Sequence, residues 1–330
     1  MPRLSASVPA VPALSVLLPV RNAGPFLRRS LASLAVQTFR DYEIIAVDDG
    51  STDGSGERLE RASRGEPRLT VLRAPAQGLP ATLNLALENA RSPVIARHDA
   101  DDISHHERFA IQLRHLAEHP DVTAVGCRVR LFPSAAVTRG MRRWEDWHNT
   151  LLTHEEITRD LLMESPLAHG SAMMRREPVE RIGGWTHRHW AEDLDLWIRL
   201  YESGARFAKR PETLYAWRQH PGSSTRTDRR YHRAAFEALK LDTLERGLLA
   251  GRTTVTLVGV GGSLERWRRV LERTGREVRA IEAPRPGPDT LATMAPPVVL
   301  VFMAPRRRAL WREALARHGW NELREFALLA

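Results

Sequence analysis

The chain has 330 residues, 42% hydrophobic and 27% charged, the balance of a soluble globular protein long enough to bury one large core or two smaller ones. Its net charge of +9 comes almost wholly from arginine, with Lys209 and Lys240 the two lysines, and is dispersed apart from short clusters such as Arg306-Arg307-Arg308; this leaves nucleic acid out as a partner and favours a solvated basic surface, with peripheral membrane contact second. A single cysteine, Cys127, excludes an intrachain disulfide and a cysteine-built zinc cage, while the longest apolar runs, near Val16-Leu17-Leu18 and from Val298 to Met303, are too short to span a bilayer.

Residues 1–13 form a Pro-, Ala- and Ser-rich leader without a signal-peptide core, which fits a cytoplasmic location. Strand and helix patterns then alternate. Leu14 to Val20 reads as a buried strand, and Leu27, Leu31 and Leu34 mark a helix over Phe26 to Val36. A strand at Glu43 to Val47 ends in the turn and cap chemistry of Asp48-Asp49-Gly50-Ser51-Thr52-Asp53-Gly54, followed by a helix from Ser55 to Ala62 and a strand at Leu69 to Leu72. Leu79, Leu83 and Leu87 give the next helix, Pro93 to Arg97 the next strand. Phe109, Leu113 and Leu116 line a helix that stops near Pro120, and Val122 to Val125 is again a strand. This order implies a mainly parallel sheet covered by helices, with ligands expected beyond the carboxyl ends of its strands. Farther on, Arg139 to Glu164 reads as helical, Ser171 to Met174 as a strand and Glu192 to Tyr201 as a helix. A strand is expected at Thr213 to Arg218 and a long helix from Arg229 to Leu249. Residues 251–330 read as a separate small α/β unit, with strands at Thr253 to Val258, Glu277 to Ile281, Val298 to Phe302 and Glu325 to Leu329, and an irregular Arg285 to Pro297.

The most informative stretch is Asp99-Ala100-Asp101-Asp102, at the carboxyl end of a strand. In an extended chain, residues i and i+2 point to one side, so Asp99 and Asp101 are expected to reach toward one point. Paired carboxylates suit a hard divalent cation whose shell is completed by substrate phosphates. Alone, the pattern is more often an acidic turn or a cap, and Asp102 or Ser104 could cap the following helix.

Five segments in order set it in context. Ser15 to Asn22 (SVLLPVRN), Val47 to Ser51 (VDDGS), Ile95 to Phe109 (IARHDADDISHHERF), Ala191 to Leu200 (AEDLDLWIRL) and Trp217 to Thr225 (WRQHPGSST) resemble the motifs of the family 2 glycosyltransferases over residues 14–225 or so. The resemblance implies a nucleotide-diphosphosugar transferase sandwich over 14–250; it does not cover 251–330, which reads on its own pattern as a small Rossmann-like accessory domain. It implies a metal-dependent, inverting transfer of a sugar from a nucleotide-diphosphate donor to a saccharide, lipid-linked or protein acceptor, with Mn2+ or Mg2+ as cofactor. Residue by residue, it makes Asp101 the first choice as metal ligand, with Asp99 contacting the metal or the donor and His220 near the metal. Pro19, Arg21, Asn22, Asp49 and Arg218 would bind the donor; Arg21 stands where many relatives have an aromatic residue, which leaves the nucleotide open. Asp193 would be the general base, taking the acceptor proton, with Glu192 orienting the loop or the acceptor and Asp195 its nearest rival. His169 is a weaker candidate, and Trp144 with Trp147 suit helix packing better than an acceptor platform.

In the tail, Val258-Gly259-Val260-Gly261-Gly262-Ser263 is similar to the start of a dinucleotide-binding unit, with Glu282 placed as a ribose-binding acid, but Leu264 replaces the third glycine. A cofactor-free unit docking an oligomer partner, the inner membrane face or another biosynthetic enzyme is the better expectation. The rival functions are nucleotidyl transfer and a non-catalytic sugar-nucleotide scaffold; Glu192-Asp193 argues against the first, and Asp99, Asp101 and Asp193 together against the second.

Overall fold

A computed structural model describes residues 11–329; the expected leader therefore lies, up to residue 10, outside the described residues. Among the described residues the chain forms two units, one of 11–158, 166–188 and 195–227, the other of 159–165, 189–194 and 228–329. Its strands are β1 (Leu14–Val20), β2 (Tyr42–Asp49), β3 (Leu69–Ala74), β4 (Val94–Arg97), β5 (Ile103–Ser104), β6 (Val122–Phe132), β7 (Met173–Arg175), β8 (Arg206–Arg218), β9 (Thr254–Gly259), β10 (Glu277–Glu282), β11 (Val298–Val301) and β12 (Phe326–Leu329).

The first unit holds an eight-stranded sheet in the order β3-β2-β1-β4-β7-β6-β8-β5. It is mixed but largely parallel: β7 runs antiparallel to both β4 and β6, and β5 antiparallel to β8. Every residue of β1 and β2 is buried, as unbroken apolar runs demand when both faces of a sheet are covered. The helix Leu27–Ala35 buries Leu27, Ser30 and Leu34 along one stripe, and packs its leucines with Leu14, Val16, Leu18, Phe109 and Leu116 in one core.

The second unit has a four-stranded, all-parallel sheet, β10-β9-β11-β12. Trp267 and Trp311 are fully buried there, and Trp311 stacks on Phe302 with ring centroids 5.8 Å apart.

The α/β fold class is as expected, and three local expectations fail for identifiable reasons. Arg139 to Glu164 is not one helical run but two helices, Arg139–Thr150 and His154–Arg159. The second starts at a capping box: Thr153 Oγ1 accepts the N–H of Glu156 (3.2 Å), while the Glu156 carboxylate accepts those of Leu152 (2.9 Å) and Thr153 (3.0 Å). Strand β8 begins seven residues before Thr213, at Arg206; it passes Pro211 through a register shift against Cys127 and Arg128, one of the few places a strand tolerates proline. The stretch from Arg285 to Pro297 contains a short helix, Pro288–Ala292.

Candidate active site

The acidic loop begins where β4 ends. His98, fully buried, bridges two hydroxyls, with Nε2 2.9 Å from Ser30 Oγ and Nδ1 3.1 Å from Ser104 Oγ. Burial first, then the charges of Arg108 and Arg97, holds its pKa well below the ordinary value, so it serves as a neutral brace. Ser30 Oγ also donates to the Asp99 carbonyl (2.9 Å), and the Asp99 N–H donates to the Tyr215 hydroxyl (3.1 Å). Gly170 lets these groups approach: a Cβ there would overlap the Tyr215 hydroxyl and stand 2.6 Å from Asp99 Oδ2.

So braced, the loop is a turn at Ala100 and Asp101 rather than an extended segment, and the Asp102 N–H closes on the Asp99 carbonyl (3.2 Å). The expected same-side reach of Asp99 and Asp101 gives way to separate partners. Asp99 pairs with the buried Arg97. Asp101 Oδ2 lies 2.9 Å from His220 Nε2, with the two side chains 27% and 23% exposed. Asp102 is buried and accepts the N–H of Arg218 (2.6 Å), so it ties down the end of β8 instead of capping a helix. The helix Arg108–Glu118 has no side-chain cap, and the Ser104 hydroxyl accepts instead from Arg108 Nη1 (2.9 Å). Arg218 donates from Nε to the Asp101 carbonyl (2.6 Å), its guanidinium held 4.7 Å from the Phe26 ring and 4.3 Å from that of Phe132.

Burial and the charge of Asp99 raise the Asp101 pKa, against the opposing pull of His220; burial with Asp101 and Asp99 raises that of Asp102 well above its ordinary value. A partly exposed carboxylate and an imidazole, with two further acids in the same turn, suit a divalent cation that draws its remaining ligands from water and phosphate oxygens. Among the described residues, a tighter grouping of potential ligand atoms occurs at the exposed His105, His106 and Glu107, within 4.8 Å of one another.

Pro19, Arg21, Asn22 and Asp49 meet at the ends of β1 and β2. Pro19 is buried within β1, opposite Val47 and past Leu17, where pairing with β4 stops. Asn22, at φ +50°, accepts the Thr52 N–H on Oδ1 (2.9 Å) and donates its own N–H to Ser51 Oγ (3.0 Å). The buried Asp49 carboxylate accepts the N–H groups of Gln77 (2.7 Å) and Gly78 (3.1 Å) and pairs with Arg21 Nη1 (3.1 Å), whose side chain is otherwise half exposed.

Glu192 and Asp193 belong to the second unit. Glu192 is buried, and its oxygens accept from Tyr231 Oη (2.6 Å) and Arg230 Nη1 (3.0 Å). Burial, then the charge of Asp193, lifts its pKa to about 7 despite these donors. Asp193 is half-buried and accepts from Ser165 Oγ (2.8 Å). In the first unit, Asp195 is engaged by Arg199 Nε (2.7 Å) and Thr186 Oγ1 (2.7 Å), so it is built into the fold. His169 is likewise structural: buried, driven well below its ordinary pKa by burial and Arg97, it accepts from Trp185 Nε1 (2.9 Å). Trp144 stacks on His148 at 4.8 Å and meets Trp217 edge-on at 5.2 Å, a packing role. Arg97, Tyr215, Gly170, Ser165, Arg230 and Tyr231 carry no comparable signal in the sequence, since none is an acid or a histidine at a recognisable spacing.

Comparison with known proteins bears on these residues. A profile described as Glycosyl transferase family 2 matches residues 15–183. The amylovoran biosynthesis glycosyltransferase AmsE of Erwinia amylovora is 31% identical over 191 residues, 57% of this chain and 68% of that protein. Among solved structures, S. aureus TarS 1-349 in complex with UDP-GlcNAc aligns with a TM-score of 0.55 at 18% identity, covering 71% of this chain and 72% of that one. The mannosyltransferase PcManGT from Pyrobaculum calidifontis, in complex with GDP-Man and Mn2+, aligns with a TM-score of 0.52 at 19% identity, over 94% and 88% of the two chains.

Proposed function

The chain belongs to glycosyl transferase family 2 and is a glycosyltransferase, and from that premise we propose that it moves a sugar, with inversion, from a nucleotide diphosphate to an acceptor hydroxyl in the synthesis of a cell-surface glycan. Asp193 accepts the proton of the acceptor hydroxyl while that oxygen bonds to the anomeric carbon; the bond from that carbon to the diphosphate oxygen breaks, its electron pair leaving on the diphosphate. Asp101 and His220 would hold a divalent ion, Mn2+ or Mg2+, with Asp99 beside them. When bound, such an ion supplies Lewis-acid stabilisation of the leaving diphosphate. Arg218, clamped between two rings, adds fixed positive charge for the phosphates, and the Arg21–Asp49 pair receives the nucleotide base. Glu192, with both oxygens engaged, orients the loop rather than carrying protons itself.

The observation that carries the metal-dependent part is the 2.9 Å approach of Asp101 Oδ2 to His220 Nε2, from segments far apart in sequence. The reading of glycan synthesis rests on the likeness to AmsE, whose name places it in amylovoran biosynthesis. Among the described residues no helix is long and apolar enough to cross a membrane. The test is a panel of nucleotide sugars, beginning with UDP-N-acetylglucosamine and GDP-mannose, incubated with Mn2+ or Mg2+. Binding or slow hydrolysis of one donor, dependent on metal, is expected; a panel silent with both ions defeats the reading. Asp193→Asn should then lower transfer by roughly 10²–10⁴-fold while donor binding persists.

A further inference from the structure

The acid pair Glu192-Asp193 is supported in part by residues beyond 183, where the match to the family profile ends: Asp228, Arg230, Tyr231 and Lys240. Arg230, which donates to Glu192 Oε2, is itself forked onto Asp228 Oδ2 through Nε (3.0 Å) and Nη2 (2.6 Å), and the Arg230 N–H donates to Asp228 Oδ1 (2.9 Å). The turn Asp228–Tyr231 therefore presents an arginine and a tyrosine already locked in one geometry to a carboxylate 1% exposed. A second support reaches Asp193 through Ser165. The Ser165 hydroxyl donates to Asp193 Oδ2, its N–H donates to Glu164 Oε1 (3.1 Å), and Lys240 Nζ, buried on the helix Arg233–Arg246, donates to the Met163 carbonyl (2.9 Å). All of these residues sit in the second unit, and both supports draw on the stretch 228–246.

We propose that Ser165 and Tyr231 are positioning residues for the transfer reaction, Ser165 fixing the side chain of Asp193 and Tyr231, backed by Arg230, fixing Glu192 and thus the helix start that presents Asp193. The proposal rests on the reading of Asp193 as the general base. A base is useful only when one of its oxygens is aimed at the reacting proton, and a carboxylate on a rotatable bond is not aimed by itself. The Ser165 hydroxyl, donating to Oδ2, holds the Asp193 carboxylate in one orientation. Glu192 cannot drift while its two oxygens face two donors, and Asp193 is its chain neighbour.

Ser165→Ala, Ser165→Thr, Tyr231→Phe and Asp193→Asn, each in the full-length chain, test this by steady-state turnover of the nucleotide sugar the wild type consumes, beginning with UDP-N-acetylglucosamine and GDP-mannose in Mn2+, alongside thermal unfolding. Loss of a hydrogen bond to a charged group predicts a kcat roughly tenfold lower in Ser165→Ala, with donor KM and Tm near wild type, and Ser165→Thr recovering most of it. Tyr231→Phe should lower kcat by roughly threefold to tenfold, again without raising donor KM. Wild-type kcat in Ser165→Ala and Tyr231→Phe, with Asp193→Asn inactive, overturns the positioning roles and leaves the base intact. Those roles fall equally if the kcat losses merely track lost Tm, or if threonine fails to rescue. Retained turnover in Asp193→Asn overturns the base reading itself, and the positioning roles with it.

Discussion

The carboxyl rims of the two sheets use the same connection, a strand, a turn and a helix, to different ends. On the first sheet the rim gathers side chains from distant segments: Asp101 meets His220, Arg218 lies over the Asp101 carbonyl, and Asp49 meets Arg21. On the second sheet the turn after β9 closes on itself, since the N–H of Gly261 donates to the Glu282 carboxylate (3.2 Å) at the end of the neighbouring β10. Gly261 sits at φ +53° with open space where a Cβ would be, so its glycine answers a backbone need. That carboxylate already occupies the helix-start amide that a phosphate would seek. A parallel sheet thus provides a place for a site; convergent, incompletely neutralised side chains provide the chemistry.

The largest expected effects lie on the first rim. Asp101→Ala should weaken Mn2+-dependent donor binding by about 10²-fold or more, read by calorimetry with and without metal. Binding unchanged by the substitution would reduce the first rim to the structural status of the second. Gly170→Ala comes next. The added Cβ drives into Tyr215 and Asp99, and overpacking of this kind costs about 1–3 kcal/mol in denaturant unfolding. Donor binding should fall with it, because the displaced groups brace the acidic loop; stability lost with donor binding intact would separate bracing from binding.

The chain's two lysines, one in each unit, extend the contrast to pH. Lys209, on β8, donates to the His148 carbonyl, and burial brings its pKa from 10.5 down to about 7; burial brings that of Lys240 to about 8. The unfolded chain holds each proton to higher pH than the folded one, so stability rises with pH, for Lys209 from about 7 and for Lys240 from about 8. Urea unfolding at pH 7 and pH 9 should show that rise, and Lys209→Met should flatten the earlier part of it. An unaltered slope would mean that Lys209 keeps its charge when buried.

The first rim is legible from sequence for reasons that do not extend to everything around it. Asp99, Asp101 and His220 stand in short segments with recognisable chemistry, and the apolar runs of β1 and β2 announce a covered sheet. The acidic turn departs from the extended expectation because its shape comes from Ser30, Tyr215 and Arg218, all remote in sequence. Ser165 lies just past a stretch that reads as one helix, because the Thr153–Glu156 capping box divides it without a glycine or proline to mark the break. Pro211 hides the first half of β8, whose register shift lets a proline lie inside a strand.

The smallest effect belongs to the second rim. Glu282→Ala removes one exposed acceptor from the Gly261 amide, which water can replace, so the stability cost should be at most about 1 kcal/mol. Donor turnover should be unchanged, because neither Glu282 nor the glycine turn is among the residues placed in the reaction. The added control is a nucleotide titration: freeing the helix start of its own carboxylate leaves an amide able to accept an outside anion. If Glu282→Ala gains affinity for NAD or a free nucleotide, the glutamate is what keeps this turn closed. If it instead loses turnover of the nucleotide sugar, the second rim serves the reaction and the contrast between the two sheets collapses.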